Sequence, residues 1–203
     1  MEFWNSLLTE KSWNILQELK KENFRFIVIG GWAMYLWTKQ HKSKDIDIIL
    51  PAIKDLEFLK RKYTFVKNER LKKYEIKMDD IDIDIYLPYY SKLGLPLEVV
   101  AQKTAKIEGF EVVNLEVLLI LKQAAEAERG ESMKGLKDRI DIMTLLCFAG
   151  IDFLKYRELL EKYNLRDYRH RLKRIVLSFR EMKYLNLNVK DYARIKKELL
   201  KKI

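Results

Sequence analysis

The segment Phe24–Leu50, FRFIVIGGWAMYLWTKQHKSKDIDIIL, decides the fold. Its first part, Phe24–Ile29, consists mainly of β-branched and aromatic residues, a composition typical of a buried strand. Gly30 and Gly31 follow, and the apolar residues after them have helical spacing. A strand that passes into a helix through paired glycines leaves backbone N–H groups open at the helix N-terminus, where a phosphate can bind.

The same segment ends in a pair of carboxylates. Asp45 and Asp47 stand two residues apart in the predicted strand Asp45–Leu50. Alternate side chains of a strand share one face, with their Cα atoms about 6.6 Å apart. Two carboxylates that face a phosphate-binding turn can hold Mg²⁺ against a nucleoside triphosphate. The sequence therefore predicts a nucleotide site between the Gly-Gly turn and this strand.

Further carboxylates occur in a predicted hairpin. The stretches Lys72–Met78 and Ile81–Leu87 flank two aspartates, which predicts two antiparallel strands joined by a tight turn. Within the second strand Asp82 and Asp84 alternate with isoleucines, so both carboxylates share one face.

The order and spacing of these features resemble a known signature. A hydrophobic residue and Gly-Gly, thirteen intervening residues and then Asp-Ile-Asp-Ile resemble the motif of the DNA polymerase beta-type nucleotidyltransferase superfamily. The chain looks most similar to its small prokaryotic branch, the minimal nucleotidyltransferases and abortive-infection nucleotidyltransferase toxins. The motif core covers residues 24–86, and a weaker likeness continues to about Leu146. The alternative interpretation is a solvated strand edge that carries two aspartates.

The resemblance implies a fold and a reaction. The fold would be α+β, with a mixed nucleotidyltransferase sheet and flanking helices in residues 1–113, followed by a helical domain in residues 114–203. The reaction would transfer a nucleoside monophosphate from a nucleoside triphosphate (NTP) to an acceptor hydroxyl. Its cofactor would be Mg²⁺ or Mn²⁺.

The resemblance also implies the residues of the site. Asp45, Asp47 and a third Asp from a neighbouring strand would be catalytic and would ligate the metal. We favour Asp84 as the third carboxylate because in the relatives the third Asp lies in a hydrophobic-Asp-hydrophobic step near the end of its strand, with Asp82 as the close alternative. The Gly-Gly pair would bind the triphosphate.

Two residues further along the chain complete the implied nucleotide site. Lys122, in the predicted helix Leu115–Arg129, matches a Lys that neutralises the triphosphate in the prokaryotic relatives. The run Lys137–Ile142 resembles a Lys-Asp-x-x-Asp run of the same relatives and places Asp138 and Asp141 on adjoining helical positions. Asp141 would orient Lys122 or the sugar of the nucleotide. Alternatively, Lys122 is a surface residue and the two acids are favoured by the helix dipole.

Positive charge is concentrated near the C-terminus. The net charge is +10, and residues 163–203 contain thirteen Lys and Arg against four Asp and Glu. This distribution predicts a polyanion-binding surface, hence RNA as a partner and an RNA 3′ end as the acceptor. A solvated surface of a lysine-rich protein explains the same charges. Two other functions stay open: an antitoxin-like enzyme that nucleotidylates a partner protein, and a catalytically inactive nucleic-acid-binding module.

Composition bounds the remaining possibilities. Hydrophobic residues make up 48% and charged residues 34% of the chain, which favours a globular protein over a disordered one. The apolar runs are short and no signal-peptide pattern is seen, so a cytoplasmic protein without a membrane partner is expected. Two His and one Cys are scattered and predict no zinc site, and Cys147 lies in an apolar run typical of a core.

The remaining patterns predict the other elements. Helices are predicted at residues 2–22, 53–62, 96–102, 153–163, 168–184 and 191–202. A strand is predicted at residues 63–66 and a hairpin at residues 104–113. The segment Gly130–Gly135 is predicted to separate the helix Leu115–Arg129 from a helix that begins near Lys137.

Overall fold

The structure, a computed structural model, describes residues 6–203. Residues 1–5 lie outside the described residues, and with them the beginning of the helix predicted at 2–22 and of the domain predicted at 1–113. The chain divides into two compact units: the first ends at Asn114 and the second begins at Leu115.

Within the described part of the chain, the first unit is built on a seven-stranded mixed sheet. Its strands are β1 (Ile27–Ile29), β2 (Ile46–Ile49), β3 (Phe65–Asn68), β4 (Lys73–Met78), β5 (Ile81–Tyr86), β6 (Thr104–Ile107) and β7 (Phe110–Val113). Their order across the sheet is β3-β4-β5-β2-β1-β7-β6. The pairs β2–β5 and β1–β7 are parallel, and the others are antiparallel. The predicted mixed α+β sheet is thereby confirmed.

Four helices accompany this sheet in the described residues. They are α1 (Ser6–Lys21), α2 (Gly30–Thr38), α3 (Ile53–Lys62) and α4 (Leu97–Val100). Burial explains the sequence pattern, because Ile48 of β2 and Ile83 of β5 have no exposed surface. The Trp32 side chain is equally buried, and its Nε1 donates a hydrogen bond to Ser12 Oγ at 2.9 Å, which joins α2 to α1.

The second unit is helical throughout. It contains α5 (Leu115–Arg129), α6 (Met133–Phe148), α7 (Phe153–Lys162), α8 (Asp167–Ser178), a 3-10 helix (Met182–Leu185) and α9 (Val189–Lys202). A buried polar contact joins three of these helices. The Tyr156 hydroxyl donates to Gln123 Oε1 at 2.6 Å, and Gln123 Nε2 donates to the Tyr168 carbonyl at 2.8 Å. None of the helices between Ser6 and Ile203 is long and apolar enough to cross a membrane.

The start of α6 corrects the prediction of a break through Gly135. The helix begins at Met133, and Ser132 caps it by accepting a hydrogen bond from the Gly135 amide at 3.1 Å. Gly135 is buried, and a Cβ atom there would lie 2.0 Å from the carbonyl oxygen of Gly130. Glycine is therefore present because the backbone passes close to the end of α5, not because the helix is interrupted.

The prediction of one continuous helix at 168–184 is also wrong for its C-terminal part. α8 ends at Ser178, and the chain continues through Phe179 into the 3-10 helix. The Phe179 side chain is buried and its ring lies 6.3 Å from that of Tyr192 in α9. The helix therefore ends where the Phe179 side chain packs against α9.

Candidate active site

The Gly-Gly turn lies where β1 passes directly into α2. Gly30 is the first residue of the helix and has φ +63°, a left-handed conformation that favours glycine. A Cβ atom on Gly30 would lie 2.1 Å from Asp47 Oδ2, and one on Gly31 would lie 2.4 Å from Ser43 Oγ. The glycines thus allow Asp47 and Ser43 to approach the beginning of the helix. Ile29, the capping position, provides no side-chain hydrogen bond to the first amides of α2.

Asp47 and Asp84 stand side by side on parallel strands. They are register partners in the β2–β5 pair, so both side chains lie on one face of the sheet. The Asp84 side chain is 17% exposed. Burial, and then the charge of Asp47, raise the pKa of Asp84 to about 6, although its hydrogen bond to Lys73 acts in the opposite direction. The electrostatics therefore indicate two carboxylates held close together.

The other predicted acidic residues are placed differently. Asp45 is half-buried and lies in the bend directly before β2, because the strand begins at Ile46 instead of Asp45. Asp82 lies on the same face of β5 as Asp84, but its register partner is Lys77 of β4. Of the two candidates for the third carboxylate, Asp84 is the one beside Asp47.

A lysine and a glutamate that the sequence analysis did not single out also contact this site. Lys73 Nζ in β4 lies 2.5 Å from Asp84 Oδ2 and 3.0 Å from Glu75 Oε1. Asn68 of β3 donates a hydrogen bond from Nδ2 to Glu75 Oε1 at 2.9 Å. The sequence contained a signal for this contact. Lys73 and Glu75 stand two residues apart in the strand predicted to pair with the strand of Asp84, so their side chains share one face. At the other side of the pair, the Tyr86 hydroxyl makes a long contact of 3.4 Å with Asp47 Oδ1.

The donor set fits Mg²⁺ when a triphosphate is also present. Between residues 6 and 203, no group of three or more His, Cys, Asp or Glu side chains is close enough to hold a metal ion. Asp47 and Asp84 nevertheless offer hard oxygen donors from adjacent positions. Protein-bound Mg²⁺ typically uses one or two carboxylates and takes its other ligands from water and substrate phosphates. The pair therefore suits a metal that binds together with a nucleotide.

Lys122 and Asp141 belong to a buried ion cluster of the helical unit. Lys122 Nζ of α5 lies 2.5 Å from Asp141 Oδ2 and 3.8 Å from Asp138 Oδ1 of α6. Arg129 Nη1 lies 2.9 Å from Asp138 Oδ2. Both aspartates are almost fully buried, and burial raises the pKa of Asp138 although Lys122 and Arg129 oppose this. A buried carboxylate without a cation would be strongly destabilising, so these pairs hold α5 and α6 together.

The basic C-terminal region contributes to a cleft of about 680 Å³ in the helical unit, which is lined by four arginines and three glutamates among other residues. Buried Glu126 fixes two of the arginines, because Arg139 Nη1 lies 3.2 Å from its Oε1 and Arg171 Nε lies 2.6 Å from its Oε2. Arg174 and Arg180 also line the cleft, and both are exposed.

Comparison with known proteins identifies the fold. No protein-family profile and no curated protein matches the sequence. Among solved structures, the antibiotic-resistance factor ANT(2″)-Ia in complex with adenylyl-2″-tobramycin is 16% identical, with a TM-score of 0.53 over 79% of this chain and 99% of that one. The JHP933 protein of Helicobacter pylori is 14% identical, with a TM-score of 0.51 over 98% of this chain and 94% of that one.

A further similar structure is an H. pylori protein assigned to the nucleotidyltransferases. It is 16% identical, with a TM-score of 0.51 over 97% of this chain and 95% of that one. These similarities show that the chain has the nucleotidyltransferase fold. The resemblance seen in the Gly-Gly and Asp-x-Asp motifs is confirmed at the level of the fold.

Proposed function

We propose that the protein is a metal-dependent nucleotidyltransferase that moves a nucleoside monophosphate from an NTP to an acceptor hydroxyl, with an RNA 3′ end as the acceptor. One observation carries the proposal. Asp47 and Asp84 lie side by side in the central strands of a nucleotidyltransferase-fold sheet, and Gly30 is packed against Asp47. Two half-buried carboxylates that repel each other cost stability, and carboxylates perturbed in this way are found preferentially at functional sites.

Each part of this site has a role in the proposed reaction. The backbone amides at Gly30 and Gly31 hold the triphosphate at the N-terminus of α2, where the helix dipole favours negative charge. Asp47 and Asp84 would hold Mg²⁺ or Mn²⁺, and Asp45, in the bend before β2, is the third proposed ligand. When bound, the metal neutralises phosphate charge and polarises the reacting oxygens.

The chemical step is a displacement at the α-phosphorus. The acceptor hydroxyl oxygen forms a bond to phosphorus as the bond to the bridging oxygen of the β-phosphate breaks, and pyrophosphate leaves with that oxygen. The proton of the acceptor hydroxyl passes to solvent water as the oxygen attacks. Catalysis of this kind depends on positioning and charge more than on a covalent nucleophile, in agreement with a site made of carboxylates and amides.

Lys122 and Asp141 are proposed to assist the nucleotide from the helical unit. The ammonium of Lys122 would stabilise the charge of the triphosphate and of the leaving pyrophosphate. Asp141 lies 2.5 Å from that ammonium and would fix its direction. This ion pair between Lys122 and Asp141 is also part of the buried ion cluster described above.

RNA is favoured as the acceptor by the charge of the helical unit. Residues 163–203 hold nine more positive than negative side chains. In the cleft of this unit, Arg139 and Arg171 are held in place by Glu126, while Arg174 is exposed. Arg139 and Arg171 are paired with glutamates. The exposed guanidinium groups of Arg174 and Arg180 are therefore the ones that suit phosphates of a nucleic-acid strand.

The reaction is tested by locating a transferred label. The protein is incubated with each α-³²P-labelled NTP in turn, with Mg²⁺ or Mn²⁺ and with total RNA or lysate protein. We expect label in the RNA fraction with one or more nucleotides, and none when the metal is chelated. Label in a polypeptide identifies a protein acceptor, and label in small molecules points to a compound such as the tobramycin found adenylylated on ANT(2″)-Ia. Absence of transfer in every fraction contradicts the proposed activity.

The third carboxylate gives a separate prediction. Asp84→Asn is expected to reduce transfer more than about 100-fold, because Asp84 is the register partner of Asp47. Asp82→Asn should reduce it less than about tenfold, since Asp82 faces Lys77. Initial rates at saturating NTP compare the two variants. The opposite ranking would assign the metal to Asp82 and leave the fold unaffected.

RNA binding should depend strongly on salt. The double variant Lys173→Gln/Arg174→Gln removes two exposed charges of α8 and should reduce the slope of log K against log salt by about 1.4, the value for two phosphates of a single strand. Lys54→Gln/Arg61→Gln removes two exposed charges of α3 and serves as the control. Fluorescence anisotropy with labelled RNA measures both slopes. RNA affinity without salt dependence, together with labelling of a co-purifying polypeptide, would replace the RNA acceptor by a protein.

A further inference from the structure

Lys73 is the cation nearest to the carboxylate pair in the contacts described above. Its side chain is 12% exposed, and it lies between Asp84 and Glu75 at 2.5 Å and 3.0 Å. Ordering a long side chain and removing its ammonium from water are both unfavourable, so a half-buried lysine needs a compensating interaction. The carboxylates of Asp84 and Glu75 supply it.

The position of this ammonium bears directly on metal binding. Magnesium–oxygen distances are about 2.0–2.1 Å, so a metal on Asp84 Oδ2 would lie at most about 4.6 Å from Lys73 Nζ in the observed contact. Two positive charges this close repel each other strongly at a partly buried site. The ammonium and a metal ion therefore compete for the same carboxylate oxygen.

A metal–nucleotide complex differs from a free metal ion in this respect. The triphosphate brings its own negative charge, which can accept the displaced ammonium, whereas a free metal ion brings none. Lys73 has a flexible four-carbon stem, so its ammonium can move by several ångströms without a change in the backbone of β4.

We infer that Lys73 is a positioning residue that occupies Asp84 Oδ2 in the substrate-free protein and releases this oxygen to the metal when the metal–NTP complex binds. The displaced ammonium then contacts the triphosphate. The second half of this inference, in which the metal–NTP complex displaces the ammonium, rests on the proposed function. Its first half, competition between Lys73 and a metal ion, is independent of any transferase activity.

Removal of the charge tests the competition directly. Lys73→Met keeps most of the side-chain stem and removes the ammonium. Lys77→Met removes the same charge from an exposed position on the same strand and the same face, and is the matched control. Mn²⁺ binding without nucleotide is measured by electron paramagnetic resonance. We expect Lys73→Met to bind Mn²⁺ at least about tenfold more tightly than the wild type, and Lys77→Met to bind it within about twofold of the wild type.

A structural role for Lys73 predicts the opposite result. Loss of a purely structural contact would disturb Asp84 and weaken Mn²⁺ binding, so unchanged or weaker binding by Lys73→Met overturns the inference. Lys73→Gln, which retains a hydrogen-bond donor, is measured in parallel and takes the place of Lys73→Met if that variant does not fold. A larger increase for Lys77→Met than for Lys73→Met also overturns it.

Kinetics separate this inference from the proposed function. In Lys73→Met the KM for the metal–NTP complex should rise at least about fivefold, because the triphosphate loses its contact with the ammonium. An unchanged KM overturns the second half of the inference. If the wild type transfers no nucleotide while Lys73→Met still binds Mn²⁺ more tightly, the proposed function fails and the competition stands.

Discussion

Asp47→Asn is expected to reduce nucleotide transfer by more than 100-fold, and to do so without unfolding the protein. Outer-shell partners of a metal ligand typically contribute about 10–100-fold, so loss of a proposed ligand should exceed that range. Asparagine preserves the shape of the side chain but removes its negative charge. It also removes the repulsion between Asp47 and Asp84, so the free energy of unfolding should stay equal or rise. Initial transfer rates and thermal melting measure the two quantities.

The control for this substitution is Asp80→Asn. Asp80 lies in the turn between β4 and β5, and its side chain is exposed. The same chemical change at this position should leave transfer within about twofold of the wild type. Transfer by Asp47→Asn at the wild-type rate, with the circular dichroism spectrum unchanged, would remove the carboxylate pair from the mechanism.

The Gly-Gly turn and Asp47 could be predicted because their signals are local. A strand composition, two glycines and helical spacing follow one another within the segment Phe24–Leu50. The helices Ile53–Lys62 and Leu115–Arg129 have the predicted bounds for the same reason, since periodicity alone specifies them. Local patterns therefore sufficed for the elements that carry the signature.

The pairing of Asp47 with Asp84 could not be predicted in the same way. Alternation places Asp82 and Asp84 on one face, and a shift of two residues exchanges them without exposing an isoleucine. Only the register that aligns Ile46 with Ile83 brings Asp84 to Asp47, and that register depends on contacts between distant parts of the chain. For this reason the sequence alone could not decide between Asp82 and Asp84 as the third carboxylate.

Lys73 shows the same dependence on tertiary structure. Lysines are rarely buried, so a lysine in a strand favours a solvent-facing interpretation. Its contact with Asp84 exists because β4 pairs with β5 so that Glu75 faces Asp84. A carboxylate that is crowded by a second carboxylate stabilises a nearby ammonium, and such crowding becomes visible only when the strands are assembled.

Gly30→Ala should lower the free energy of unfolding by about 2–5 kcal/mol, the largest effect on stability that we expect from any of the substitutions. Two costs combine: a non-glycine residue at φ +63° costs about 1–2 kcal/mol, and forcing a methyl group into occupied space costs about 1–3 kcal/mol more. The new Cβ would lie 2.1 Å from Asp47 Oδ2 and 2.8 Å from Asp47 Cβ, so rotation of the carboxylate alone cannot relieve the contact. Urea denaturation measures the change.

Gly150→Ala separates these two costs. Gly150 has φ +69°, but nothing lies within 4 Å of a Cβ atom placed on it, so this variant should lose only the conformational part, about 1–2 kcal/mol. Equal losses in the two variants would mean that Asp47 is not held against the glycine. A larger loss in Gly30→Ala, accompanied by weaker Mn²⁺ binding that Gly150→Ala does not share, would show that the close approach of the helix N-terminus to Asp47 also positions the carboxylate. The Gly-Gly pair would then serve the metal site through packing as well as the phosphate through its amides.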